Sequence, residues 1–149
     1  MRRLVIVLLI LILVSCGRTG VFSKASEEEA REYSATAVSL SDFSMKIVAH
    51  YQSQNLPIPV NFDAEQFFAL LKKIYPDQSR VSFVRANYKV SARPVNGGYS
   101  VMLCDPRTDR KIMEDLSCCL DRVEIRSWQS NSIVPCISEH NWKPLCKCE

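Results

Sequence analysis

From Ser26 onward the apolar residues first recur at three- and four-residue steps, then switch to every second position. Ala30, Tyr33, Ala37, Leu40, Ser44, Ile47 and Tyr51 share one face of a helix, and Val38, Met45 and Val48 widen it. Ser26 with Glu29 forms a capping box, and Glu27, Glu28 and Glu29 place negative charge at the positive end of the helix dipole. The helix is expected to end near Gln54, ahead of Pro57 and Pro59. It would then be about 28 residues long, or roughly 40 Å. The stripe is narrow and carries small residues, which suits close packing on another helix of this chain or of a partner.

Leu56-Pro57-Ile58-Pro59-Val60 reads as a stiff connector, since each proline holds the residue before it extended. A second helix starts at Asp63 as N-cap, with Gln66 three residues on and Phe62 and Phe67 at the two positions of a hydrophobic staple. Phe67, Leu70, Leu71 and Ile74 form its apolar face, and Pro76 stops it after Tyr75. So short a connector favours antiparallel packing of the two helices.

The period-2 stretch follows. Val84, Ala86, Tyr88, Val90 and Ala92 alternate with Arg85, Asn87, Lys89 and Ser91, the pattern of a half-buried strand. Asn96-Gly97 is the preferred pair for a two-residue hairpin turn. With Val95 facing Gly98, Pro94 faces Tyr99, Ala92 faces Val101 and Val90 faces Leu103, so a single register collects the apolar residues on one side. After a turn at Asp105 to Arg110, Lys111 to Leu116 is expected as a third strand and Val123 to Trp128 as a fourth. Gln129 to Glu149 has little periodicity and reads as an irregular tail held by disulfides. The fold class is therefore α+β: a helical hairpin over 26–76, then a three- to four-stranded antiparallel meander with its tail in a Cys-rich part over 81–149.

The N-terminal pattern is of a different kind. Arg2 and Arg3 precede an unbroken apolar run from Leu4 to Val14, with Ser15 and Cys16 behind it. A basic start, a short apolar core and a small residue at its end make a secretory signal. The run falls well short of the about 20 residues that a membrane span needs. Leu13-Val14-Ser15-Cys16 resembles the lipobox of bacterial lipoproteins. The resemblance covers this segment only. It implies cleavage between Ser15 and Cys16, a diacylglycerol on the Cys16 thiol and acylation of the new amino terminus. Three acyl chains would anchor the chain permanently, because a single chain binds only reversibly. Asp after the lipidated Cys marks inner-membrane retention in that family, and Gly17 stands there instead, which implies the periplasmic face of the outer membrane. The alternatives are an ordinary soluble signal that leaves Cys16 as a thiol, and an uncleaved anchor. Residues 1–15 are thus the signal peptide, 16–25 the lipidated Cys and a flexible tether, and 26–149 one α+β domain. Nine tether residues reach at most about 30 Å.

Charge and cysteine content sharpen this. The 149-residue chain carries a formal charge of +3, and +1 once Arg2 and Arg3 leave with the signal. A chain so near neutrality has no electrostatic footprint for nucleic acid. Beside Cys16 there are six cysteines, Cys104, Cys118, Cys119, Cys136, Cys146 and Cys148, all in the last 46 residues. An even number in an exported chain reads as three disulfides. Neighbours in extended chain point opposite ways, so Cys118 and Cys119 should bond different partners. A straight third strand carries Cys118 roughly 23 Å from Cys104, beyond bridging reach. The expected pairings are therefore Cys104 with Cys146 or Cys148, and Cys118 or Cys119 with Cys136.

Other chemistry is weakly marked. Six Cys with His50 and His140 would supply a zinc site, but paired C-x₂-C spacing is missing and the compartment is oxidising, so no metal is expected. A thiol oxidoreductase needs C-x-x-C at a helix start, which neither Cys118-Cys119 nor Cys146-Lys147-Cys148 provides. His50, near the end of the first helix, reads as structural. Glu114 and Asp115 are neighbours on a strand, so they face opposite sides and form no carboxylate dyad. There is no G-x-S-x-G elbow to organise a Ser/His/Asp set around His140, and no P-loop. Trp128 and Trp142 serve either as partner anchors or as core. These readings point to a non-enzymatic envelope lipoprotein with no cofactor beyond the covalent lipid on Cys16. It would hold an envelope protein through its first helix or the sheet's free face, with no small-molecule substrate. A small disulfide-stabilised inhibitor or exclusion lipoprotein is the alternative, with a thiol oxidoreductase behind it.

Overall fold

A computed structural model describes residues 26–95, 97–119, 122–127, 134–138 and 141–143. Among the described residues three helices, α1 (Glu27–Gln54), α2 (Ala64–Ile74) and α3 (Gln78–Asn87), precede four strands: β1 (Lys89–Val95), β2 (Gly98–Asp105), β3 (Arg110–Cys119) and β4 (Arg122–Ser127). The strands form one antiparallel sheet in the order β1-β2-β3-β4. The domain is α+β.

The first helix begins and ends where its sequence dictates. Glu29 N–H donates to Ser26 Oγ at 3.2 Å, and Ser26 N–H to Glu29 Oε2 at 2.8 Å, completing the capping box. At the far end Asn55 takes the left-handed conformation (φ 52°), and Leu56 N–H turns back to Tyr51 O. The buried face is Tyr33, Thr36, Ser39, Leu40, Phe43, Ser44, Ile47 and Val48. It keeps Tyr33, Leu40, Ser44 and Ile47 of the expected stripe, with Ala37 and Tyr51 packed against the core, and differs at the flank. Thr36, Ser39 and Phe43 widen the stripe, whereas Val38 and Met45 stand 59% and 51% exposed on the other side. Two buried hydroxyls bond carbonyls one turn back, Thr36 to Glu32 and Ser39 to Ala35, so a polar residue lies inside without an orphaned hydroxyl.

Asp63 caps α2 through Gln66 N–H at 2.9 Å, and the Phe62 and Phe67 rings meet edge to face at 6.5 Å as the staple requires. α1 and α2 touch near their connector through Tyr51 and Phe62, and again far from it through Phe43 and Tyr75, whose centroids are 4.8 Å apart.

A third helix stands where a strand was expected to begin. The chain is helical to Asn87, and Val84 and Ala86 belong to α3 rather than to β1. Asp77 decides this: its carboxylate accepts Arg80 N–H at 3.1 Å and Ser79 Oγ at 2.6 Å just after Pro76. Val81, Val84 and Tyr88 follow at helical spacing and are buried, while Ala86 is exposed. Val84 and Ala86 shared the period of the real strand by coincidence. Arg80 ties the extra helix to α1, with Nε on Ser39 Oγ at 2.8 Å and Nη1 3.5 Å from Asp42.

The hairpin register is the expected one, with Val95 opposite Gly98, Pro94 opposite Tyr99, Ala92 opposite Val101 and Val90 opposite Leu103. Gly97 takes the positive φ (81°) that the turn requires. Tyr99, Val101, Leu103 and Met113 bury against Leu40, Phe43, Ile47, Phe62 and Phe67, which is the main core. β2 is buried along its whole length, on both faces. Its second face is closed by the segment beyond β4.

Candidate functional site

That second face of the sheet holds the most organised chemistry. In β2 and β3 the register slips between Leu103 and Cys104: Leu103 faces Met113 but Cys104 faces Lys111, leaving Ile112 as an extra residue. The slip puts Lys111 and Glu114 on one side of the sheet. Lys111 Nζ lies 2.9 Å from Glu114 Oε2, with side chains only 6% and 9% exposed. The other oxygen, Glu114 Oε1, accepts the indole Nε1–H of Trp142 at 3.0 Å. Both carboxylate oxygens are thus used, as burial of a charge demands.

β4 pairs with β3 only as far as Met113, opposite Ser127. Past that point residues 134–136 take the edge. Lys111 N–H donates to Val134 O and Cys136 N–H to Asp109 O, both at 2.8 Å, and Arg110 bridges Pro135. This seats Cys136 beside Cys104, and the two form a disulfide with Cα atoms 5.9 Å apart. The expected pairing of Cys104 with Cys146 or Cys148 is corrected. The cysteine does reach the tail, but at the segment that continues the sheet. The expected pairing of Cys136 with Cys118 or Cys119 falls with it. Trp142 is 1% exposed and packs on Met102 and the disulfide, and its carbonyl accepts Arg93 Nη1 at 2.9 Å. It is a core residue of this face rather than an exposed anchor.

Asp115 points the other way, as its neighbour Glu114 requires. It is fully buried between the sheet and α1. Ser117 Oγ approaches its two oxygens at 3.4 and 3.5 Å. Tyr99 OH, beside it, donates to Ser44 O at 3.0 Å. Burial pushes the Asp115 carboxyl up to about 7, with Ser44 and Ser117 opposing the rise. Ser44 Oγ is near enough to act on the carboxyl, yet makes no hydrogen bond of proper geometry to any described residue.

A third polar group braces the turn after β2 against the start of α1. Asp105, also fully buried, accepts Tyr33 OH at 2.7 Å, Arg107 N–H at 2.8 Å and the Arg107 guanidinium at 3.0 and 3.1 Å. Burial works to raise its pKa, but the bonds from Arg107 and Tyr33 win and hold it below the ordinary value. Arg107 reaches on to Glu32 at 3.3 Å, which also accepts Tyr88 OH. Burial and Glu32 together push the Tyr88 hydroxyl up to about 12. Nothing in the sequence pattern marked Asp105 or Arg107 apart from their place in a turn.

Of the residues singled out from sequence, Cys104, Cys136, Trp142 and Glu114 converge among the described residues, with Lys111 beside them. His50 sits on α1 beside Gln54 and Tyr51. Cys118 and Cys119 close β3, but their side chains lie outside the described residues, as do Ser15, Cys16, Trp128, His140, Cys146 and Cys148. Among the described residues no group of three or more His, Cys, Asp or Glu is placed to hold a metal, and no helix is long and apolar enough to cross a membrane.

No family model, curated protein or solved structure matches this chain.

Proposed function

We propose that the chain is a lipoprotein of the bacterial outer membrane, held on the periplasmic face through Cys16, which keeps an envelope protein close to the membrane without itself catalysing a reaction. The observation that carries this reading is the segment Leu13-Val14-Ser15-Cys16, placed where the apolar run stops. The Cys104–Cys136 disulfide supports it, because such bonds persist in oxidising compartments. The helical part takes the form of a hairpin of α1 and α2 that α3 extends, and the tail is stapled to the sheet.

The surface for the partner follows from what is covered. β2 is closed on both sides, so the sheet has no free face along that strand. The outward side of α1 remains. Val38 and Met45 stand exposed there, seven residues apart and so two turns along one line, with Ala35 and Ala49 exposed beside them.

Two measurements test the reading. In cells fed a radioactive fatty acid, the wild-type chain is expected to take up label and sediment with membranes, and Cys16→Ala to do neither. Label and sedimentation unchanged in Cys16→Ala would overturn the anchor. A photocrosslinker at position 38 is expected to capture a discrete envelope protein, with capture lost in Met45→Glu. Capture of nothing from intact cells, while the chain is folded and membrane-bound, would overturn the partner.

A further inference from the structure

The two pieces of chain at 134–138 and 141–143 form a strap across the second face of the sheet. Lys111 N–H on Val134 O and Cys136 N–H on Asp109 O lay its first part along the edge of β3. Asn141 and Trp142 N–H both donate to Ser138 O, a turn that carries the indole back onto Met102 and the disulfide. Under the strap lies the Lys111–Glu114 pair. Taking an ion pair out of water costs desolvation that its own attraction offsets only with further hydrogen bonds, and here that bond comes from the strap's own Trp142. With the strap lifted, water replaces the indole and the desolvation cost is gone. The disulfide opposes lifting by closing the loop behind it. Its two ends are unequally placed. Cys104 is 2% exposed in β2 and packs against Trp142, whereas Cys136 is half-buried between the exposed Pro135 and Ile137. The main core lies on the other side of the sheet, and none of the described strap residues belongs to it.

We propose that Cys104–Cys136 is a thiol-operated catch: a dithiol reductant opens it, the strap lifts from β3 and uncovers Lys111 and Glu114, and the helices with the rest of the sheet stay folded. The inference does not depend on the lipoprotein reading. A thiolate of the reductant attacks Cys136 Sγ from solvent. The bond between the two cysteines breaks, and its electron pair leaves on Cys104 Sγ, which takes up a proton. The reductant's second thiolate then attacks its own sulfur in the mixed disulfide and displaces Cys136 as a thiolate, which is protonated in turn. The chain gains two electrons and two protons, and the reductant ends as a disulfide.

The test treats the folded full chain with dithiothreitol at neutral pH and follows hydrogen exchange residue by residue. The amides of Lys111 and Cys136 are expected to lose protection by about 100-fold or more, with Leu40 and Val101 unchanged. The unreduced Cys104→Ser, Cys136→Ser chain should show the same loss at Lys111, which ties the opening to this bond rather than to other cysteines. Glutathione, a monothiol with no second thiol to release it, should leave its adduct on Cys136, located by peptide mass. Three results would overturn the catch: a bond that resists dithiothreitol while the chain is folded, a Lys111 amide still protected once both sulfurs are reduced, or protection lost at Lys111 and Leu40 together. An adduct on Cys104 would overturn the order of attack. Should the serine variant fail to fold, the wild-type exchange pattern decides by itself.

Discussion

The indole of Trp142 and the carboxylate of Glu114 are joined by a 3.0 Å hydrogen bond across 28 residues of chain. Through it the last described residues are fixed to the middle of β3. The same carboxylate neutralises Lys111 under a surface that admits almost no water.

Removing one member of that set breaks contacts that are buried on every side. Glu114→Ala is expected to destabilise the domain by about 3–5 kcal/mol, because it removes one partner of a buried ion pair together with the acceptor of the Trp142 indole. Trp142→Phe keeps most of the packing and loses one hydrogen bond to a charged group, for about 1.5–3 kcal/mol. Replacing Lys111 and Glu114 together by Met and Leu is expected to cost far less than Glu114→Ala alone. Urea midpoints at constant m-value give all three numbers.

The disulfide closes a loop of 32 residues. Chain-entropy arguments give roughly 3–4 kcal/mol for a loop of that size. The double variant Cys104→Ser, Cys136→Ser is expected to lose about that much, and hydrogen exchange should show the Lys111 amide losing protection as its bond to Val134 opens. A non-reducing peptide map of the wild type is expected to contain a fragment linking Cys104 to Cys136.

Asp105 works in the opposite sense to Asp115. Its folded pKa is depressed, so its contribution is present above the unfolded value of 3.8 and disappears as pH falls through the folded one. The acid limb of the stability curve should therefore flatten in Asp105→Asn. The variant should also be less stable than wild type at neutral pH, read by thermal unfolding at pH 3 to 7.

The exposed line on α1 makes a cleaner test of binding than of folding. Val38 and Met45 are more than half exposed, so Val38→Glu and Met45→Glu are expected to change stability by less than about 0.5 kcal/mol each. A loss of crosslinking in cells with unchanged urea midpoints would separate a docking surface from a structural one.

The helix boundaries and the hairpin register were legible because each rests on a local device: Ser26 with Glu29, Asp63 with Gln66, and the Asn96-Gly97 turn flanked by alternating apolar residues. α3 was not, although Asp77 after Pro76 was the signal that could have shown it. Its short apolar face runs into a true strand without a glycine to mark the change, and the alternation of β1 extends by chance back to Val84. One flank of the α1 face was put on the wrong side, at Val38 and Met45, because Thr36 and Ser39 are buried with their hydroxyls bonded to the helix itself, which hides them from any count of apolar residues. The Lys111–Glu114 pair could not be foreseen, since three residues apart on a regular strand they face opposite sides; only the extra residue at Ile112 brings them together. The disulfide partner of Cys104 followed from where residues 134–136 join the sheet, a long-range pairing with no local mark.

Cys104 skips two cysteines to find Cys136. During synthesis Cys118 and Cys119 emerge first, so oxidation in order of appearance yields the wrong bond. The native link then forms by exchange, in which the Cys136 thiolate attacks the Cys104 sulfur of the premature bridge, making the Cys104–Cys136 bond and releasing the thiolate of Cys118 or Cys119. Recovery of the oxidised domain after reduction should accordingly be slow, on a scale of seconds to hours set by the oxidant, and a disulfide isomerase should shorten it. The yield of correctly bridged chain is expected to rise with such a catalyst present.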